Sequence, residues 1–325
     1  MSDATPSRLG QVNQANSATA LFLKVFAGEV LTAFNATNIA MNLTRVRTIS
    51  NGKSAQFPMT GIASATDHTP GTYIDGTAIN HNEKVIDING LKISSAFIAN
   101  IDEAMNHYDV RSIYSKEIGQ ALAKAADIQI FKDVASASAD QTNYAQGASQ
   151  NGGSVELGGS SMAASGQQVA DAIFSCLQVL DEKNVTGERS VVVTPQVYWK
   201  LFGGKTADAA LIMNSDFGGS GNTSSGSVPT IGGARVYVSN NLPSTADNTA
   251  TSWKKTAANG TVTNANEAVH GLVFTKDAAA TVKLLDLSVE SEYEIQRQGT
   301  LMVAKYAMGH GSLRPEAAVR IIDAS

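Results

Sequence analysis

Along this chain the apolar positions change period several times, and each change marks an element. From Ile101 to Ala139 they recur in steps of three and four, at Val110, Tyr114, Ile118, Ala121, Ala125, Ile128, Phe131 and Val134. That spacing puts one stripe along one face of an α-helix. The stretch holds a single glycine, Gly119, and no proline. Asn100 can cap its start, with Glu103 three residues on to return the hydrogen bond. Such a helix would be roughly 55 Å long, about the width of a compact globule of this size. It is expected to be a spine to which the rest of the chain attaches.

The flanking stretches read differently. Residues 1 to about 17 are polar; after them Phe22, Phe26, Val30 and Phe34 fall four apart, which is helical spacing. A helix that apolar must pack on its own body or on a neighbouring copy, and the polar tail before it gives it the character of an arm. Residues 46 to about 93 read as β, with two strand-like flanks around a segment rich in turn formers. This predicts a long hairpin with a wide tip. Its apolar content is modest, so the expected cover is another subunit. From Asp140 to Gly166 the glycine- and serine-rich sequence predicts a loose connection.

Beyond it, Val169, Ile173, Leu177 and Leu180 give an amphipathic helix, and the run RSVVVT gives a buried strand. Pro195 opens a short helix closed by Gly203. GARVYV and VHGLVFT are further strands, set between long polar insertions, so this part predicts a looped α/β domain. From Thr281 the period is two over a long distance. That predicts two long antiparallel strands turning near Gln298–Gly299 beside the spine, and LRPEAAVRIID is a final strand.

Composition narrows the chemistry. Charged residues are 16% of the 325, against about 25% in ordinary soluble domains. A charge-poor surface suits a protein that lies against copies of itself. The net charge of −5 leaves no basic footprint for nucleic acid across the whole chain. The one cysteine, Cys176, excludes an internal disulfide and a cysteine-based zinc site, and its helical setting predicts a small buried hydrophobe. The opening residues lack a signal-peptide core, and Ala20–Phe34 carries Lys24 and Glu29 and is too short to span a bilayer, so synthesis in the cytoplasm without a membrane partner is expected.

No nucleophile elbow and no phosphate-cradling glycine motif is present. His107 with Asp102 and Asp109 could share a helix face and hold a metal, although solvated helix faces commonly look like this. His310 lies between glycines, which predicts a tight turn between strands. No catalytic, cofactor-binding or metal site is expected.

Several blocks carry a resemblance. ALFLKVFAGEVLTAF, NGKSAQFP, NEKVIDINGL, DEAMNHYDVRS and AKYAMGHGSLRPEAAV, in that order from Ala20 to Val319, resemble the major capsid proteins of T-seven-like short-tailed phages. The resemblance implies an α+β fold of the Hong Kong 97 capsid type. Its parts would be an N-terminal arm at 1–45, an extended hairpin loop at 46–92, a peripheral domain with the spine helix at 93–140 and 286–307, and an axial domain at 141–285 and 308–325. It further implies hexamers and pentamers of this chain in an icosahedral virion shell around packaged double-stranded DNA. A scaffolding protein and a portal would be partners in assembly, and DNA would be held without sequence preference. The inter-subunit candidates are Phe22, Phe26, Phe34, Arg45, Arg47, Lys53, Phe57, Tyr73, Glu83 and Lys84. Residues 140–165 and 204–266 depart from the family pattern. Some members of the wider fold cross-link a hairpin lysine to a neighbouring asparagine; here no lysine lies between Lys53 and Lys84. The alternatives are a cargo-holding nanocompartment of the same fold and a cytoplasmic α/β enzyme.

Overall fold

A computed structural model of the chain describes residues 7–8, 30, 33–34, 38–60, 65, 67–74, 76, 79, 81–88, 90–100, 111–140, 152–158, 166–203, 230–243 and 269–323. Two sheets and one long helix organise them.

The first sheet has six strands. Strand β6 (Ser154–Gly158) neighbours β13 (Ala318–Asp323), followed by β10 (Val269–Thr275), β7 (Arg189–Val193), β9 (Ala234–Val238) and β8 (Thr230–Ile231). Side chains alternate between two buried faces. Val191, Val193, Val273, Val319 and Ile321 lie under helices α3 (Gly166–Glu182) and α4 (Pro195–Gly203). Val192, Leu272, Phe274 and Ile322 lie on the opposite side, against the long helix. Burial on both faces explains the unbroken valine run. Val169, Ile173, Leu177 and Leu180 all point into the first face, and Cys176 is fully buried among them. Residues 141–151 and 159–165 lie outside the described residues; the strand β6, parallel to β13, corrects the expectation of a loose connection over 154–158. Its pairing partner is more than a hundred residues away, beyond the reach of local composition.

The long helix α2 spans Arg111–Ala139, 29 residues and roughly 43 Å. The expected start at Ile101 with its Asn100–Glu103 cap, and the His107, Asp102 and Asp109 group, fall outside the described residues. The buried face runs through Ile118, Leu122, Ala126, Ile130 and Val134, joined by Ser115, Ala123 and Asp127. Ala121 is exposed, and Ala125 and Ile128 are only partly buried. The stripe is therefore rotated from the expected one, because small and polar residues occupy the closest contacts.

The second sheet has five strands in the order β1 (Ser7–Arg8), β5 (Leu91–Ala99), β12 (Gly299–Ser312), β11 (Ala279–Glu294) and β2 (Arg45–Thr48). Strands β11 and β12 form the expected long antiparallel pair, turning through Ile295–Arg297 with Gln298 left-handed at φ 49°. The N-terminal half of α2 covers one face of this sheet through Ile118 and Leu122 on Met302, Ala304 and Tyr306. Its C-terminal half packs on the six-stranded sheet through Ile130, Phe131 and Val134.

The hairpin proper is β3 (Ser54–Thr60) with β4 (His81–Asp87). The outer ends of the two expected flanks, β2 and β5, pair instead with β11 and β12. Nor is the base of the hairpin left for a neighbour to cover. Ala55, Phe57, Ile86 and Ile88 bury themselves on Ala280, Val282, Ala307 and Leu313 of the same chain. The glycines around His310 serve that contact. They sit inside β12 and make no turn; a Cβ on Gly309 would come within 2.4 Å of the Asp87 carbonyl oxygen.

Candidate assembly surfaces

The edges of the hairpin are partly closed. The Ile88 amide donates to the Lys53 carbonyl at 2.8 Å, which makes Ser54–Asp87 a non-hydrogen-bonded pair of the antiparallel ladder. By alternation Gln56 and Pro58 then aim their backbone groups outward from β3. Pro58 has no N–H to offer there. The Gln56 carbonyl accepts from Arg47 Nη1 at 2.9 Å, and the Arg47 guanidinium lies 5.7 Å from the Phe57 ring centroid. On β4 the outward Glu83 N–H donates to the Asn82 side-chain oxygen at 2.8 Å. Lys84 faces Phe57 across the ladder and is already engaged by a partner. What the hairpin offers is its tip. Tyr73 is 98% exposed and Ile74 81%. A turn presents them, the Thr72 N–H and hydroxyl both donating to the Thr69 carbonyl at 3.2 and 2.7 Å.

Where it is described, at Val30, Ala33 and Phe34, the arm is tied to its own spine. Phe22 and Phe26 lie outside the described residues. Phe34 is buried, its ring 6.2 Å from Tyr306 and edge-on, so its side chain packs within its own chain. The same holds for Phe57, which is buried on its own body. Gly119 allows the arm to approach: a Cβ there would come within 2.7 Å of the Val30 carbonyl oxygen and 2.9 Å of Ala33 Cβ. Helix α1 (Ala40–Leu43) follows. The carboxylate of Asp127, on α2, accepts from the Ile39 and Ala40 amides at 3.3 and 3.1 Å. Asn38 adds a second cap, its side-chain oxygen accepting from the Met41 amide at 3.0 Å. Burial raises the Asp127 pKa to about 6 against these hydrogen bonds, and the Tyr306 hydroxyl is pushed up to about 12 by burial and by the nearby Asp127 charge.

Arg45 is exposed and pairs with Asp277 at 2.6 Å. Lys53 is exposed. The face of the five-stranded sheet away from α2 is bare beyond the hairpin base: Leu91, Ile93 and Leu285 are each about half exposed. Beside them Lys305 pairs with Glu290 at 2.6 Å, and Glu292 lies open. Phe174 and Trp199 add apolar surface on α3 and α4.

His310 bonds Thr281 Oγ through Nδ1 at 3.0 Å, its Nε2 is sealed from water without a partner, and burial first, then Lys92, lowers its pKa to about 4. Among the described residues no group of three or more His, Cys, Asp or Glu could hold a metal ion. Among them also, no helix is long and apolar enough to cross a membrane. Asp127, Tyr306 and the role of Gly119 were not found from the sequence. The signal available was an acidic residue on the apolar side of the helix, which periodicity alone reads as a flaw in the stripe.

A family model described as Gp10A-like, major capsid protein, matches residues 56–322. The chain is 34% identical over 327 residues to the major capsid protein of Escherichia phage T7, covering 95% of this chain and 93% of that one. To the major capsid protein of Enterobacteria phage T3 it is 33% identical, covering 96% and 94%. Among solved structures, the capsid of the cyanophage P-SCSP1u matches with a TM-score of 0.73 and 39% identity over 100% of both chains.

Proposed function

The chain belongs to the Gp10A-like major capsid protein family, a structural and non-enzymatic family, and from that premise we propose how it builds its shell. It is a major capsid protein of the phage virion, with the α+β capsid fold expected from its sequence. In the proposal, copies gather into hexamers and pentamers that tile an icosahedral shell around double-stranded DNA. The single observation that supports this most is the match to the cyanophage capsid over the full length of both chains. The five-stranded sheet with the N-terminal half of α2 serves as the peripheral domain, and the six-stranded sheet with α3 and α4 as the axial domain. The arm and the hairpin tip, with Tyr73 at its end, reach neighbouring subunits. A scaffolding protein and a portal take part during assembly in the host cytoplasm.

DNA is held by confinement. A net charge of −5 gives no excess of cations to neutralise phosphates. Arg45, Arg47 and Lys53 are the local exceptions, and two of the three are occupied within the chain. The compartment alternative is not favoured, since the full-length sequence identity runs to phage capsid proteins.

Electron microscopy of the purified chain, alone and with a scaffolding partner, tests the reading. Closed icosahedral shells are expected. Only discrete small oligomers under both conditions would refute it.

A further inference from the structure

Among the described residues, one long strand edge has no partner strand. Strand β11 pairs with β12 along its length, but on its other side β2 reaches only as far as Lys283. Register shifts interrupt β11 before Ser288, and from Ser288 to Glu294 the pairing is regular.

The direction of the free groups can be worked out. The Asn100 amide donates to the Gln298 carbonyl at 3.0 Å, so Ala99 and Gly299 form a non-hydrogen-bonded pair of the β5–β12 ladder. Gly299 therefore turns its own N–H and C=O toward β11, where its partner is Glu294. By alternation Glu292 and Glu290 also face β12, while Val289, Ser291 and Tyr293 point theirs outward. The strand is held firm at this place. Val289 packs on the core beneath α2, and the Tyr293 hydroxyl accepts from Asn100 Nδ2 at 2.9 Å.

Resting on the capsid reading above, we propose that the outer edge of β11 from Val289 to Tyr293 receives an extended strand from a second copy of the chain. An open edge with three outward N–H groups is a template for strand addition, and this chain works among copies of itself. The donor is not the same edge. Two β11 edges side by side would set Glu290, Glu292 and Glu294 of one copy against those of the other. Nor is it β3, which Pro58 and Arg47 close. A donor unlike the acceptor makes the contact heterologous, the kind that closes rings. The outer edge of β5, free of acidic residues, meets these conditions, since β1 covers only Ile98 and Ala99.

Amide-resolved hydrogen exchange on wild-type shells and on dissociated subunits tests this. The amides of Val289, Ser291 and Tyr293 should slow at least tenfold on assembly, while those of Glu290 and Glu292 are protected in both states. Ser291→Pro removes an N–H that the chain's own ladder does not use, so the subunit should melt as the wild type does and yet form no shells. Ser291→Thr should assemble normally. Wild-type shells whose three amides exchange as fast as in free subunits would overturn the proposal. So would normal shells from the proline variant, or protection that appears only when another protein is added. Failure of the wild type to form any shell would overturn the capsid reading itself.

Discussion

The two sheets of this protein are finished to different degrees. The six-stranded sheet is covered on both faces, by α3 and α4 on one side and by the C-terminal half of α2 on the other. The five-stranded sheet has α2 on one face only. Its other face is covered near the base by the hairpin and is bare beyond it, with Leu91, Ile93 and Leu285 about half exposed. One sheet is covered on both faces within the chain; the other leaves part of one face exposed. The long helix packs on both.

Core and surface substitutions should therefore separate cleanly. Phe131 is fully buried where α2 meets the six-stranded sheet. Phe131→Ala should cost about 3–5 kcal/mol of subunit stability, read by urea denaturation of dissociated subunits. Ile93→Ala, on the bare face, should cost less than about 1 kcal/mol in the same measurement while weakening assembly. Equal losses in the subunit would erase the distinction between the sheets.

Asp127 on α2 and His310 on β12 are shifted in opposite directions. Asp127 has its folded pKa raised from 3.8 to about 6. Its contribution is fully present below pH 3.8 and is lost as pH rises to about 6. His310 has its folded pKa lowered from 6.5 to about 4. Its contribution is present above pH 6.5 and is lost as pH falls to about 4. Each shift corresponds to roughly 3 kcal/mol at most, and between pH 4 and 6 the two slopes oppose each other. Asp127→Asn should leave subunit stability rising with pH across that window, and His310→Gln should leave it falling. Denaturant midpoints measured at pH 4, 5 and 6 would decide; parallel profiles in both variants would contradict the assignment.

The hairpin sharpens the comparison further, because its base is buried on the five-stranded sheet while its tip is exposed. Replacing residues 61–80 by a short glycine–serine turn should change subunit stability by less than about 1 kcal/mol. The same change should abolish closed shells in negative-stain images. Shells of normal size from this variant would show that the tip makes no needed contact.

The smallest effect expected is none at all. No lysine lies between Lys53 and Lys84, and the one cysteine is buried. Mature shells boiled in detergent should run as a single monomer band, with no ladder surviving reducing agent.

The sequence by itself determined whatever a short window can express. The valine run of β7, the amphipathic α3, the proline-opened α4 and the long alternating β11 and β12 with their turn at Gln298 were all legible, because local periodicity reports which face is buried. The family was legible too, from blocks of consecutive residues. The tertiary structure alone decided the contacts made by small and polar side chains. Gly119, Gly309 and Asp127 are buried because other segments come close to them, Asp87 to Gly309 and the arm to Gly119 and Asp127. A hydrophobic period cannot mark such positions, since glycine and aspartate carry no apolar signal, and so the stripe on α2 was rotated in the sequence reading. Strand partners were equally hidden. Arg45–Thr48 and Leu91–Ala99 read as one hairpin, yet they pair with strands about two hundred residues away, because backbone hydrogen bonding is indifferent to sequence distance.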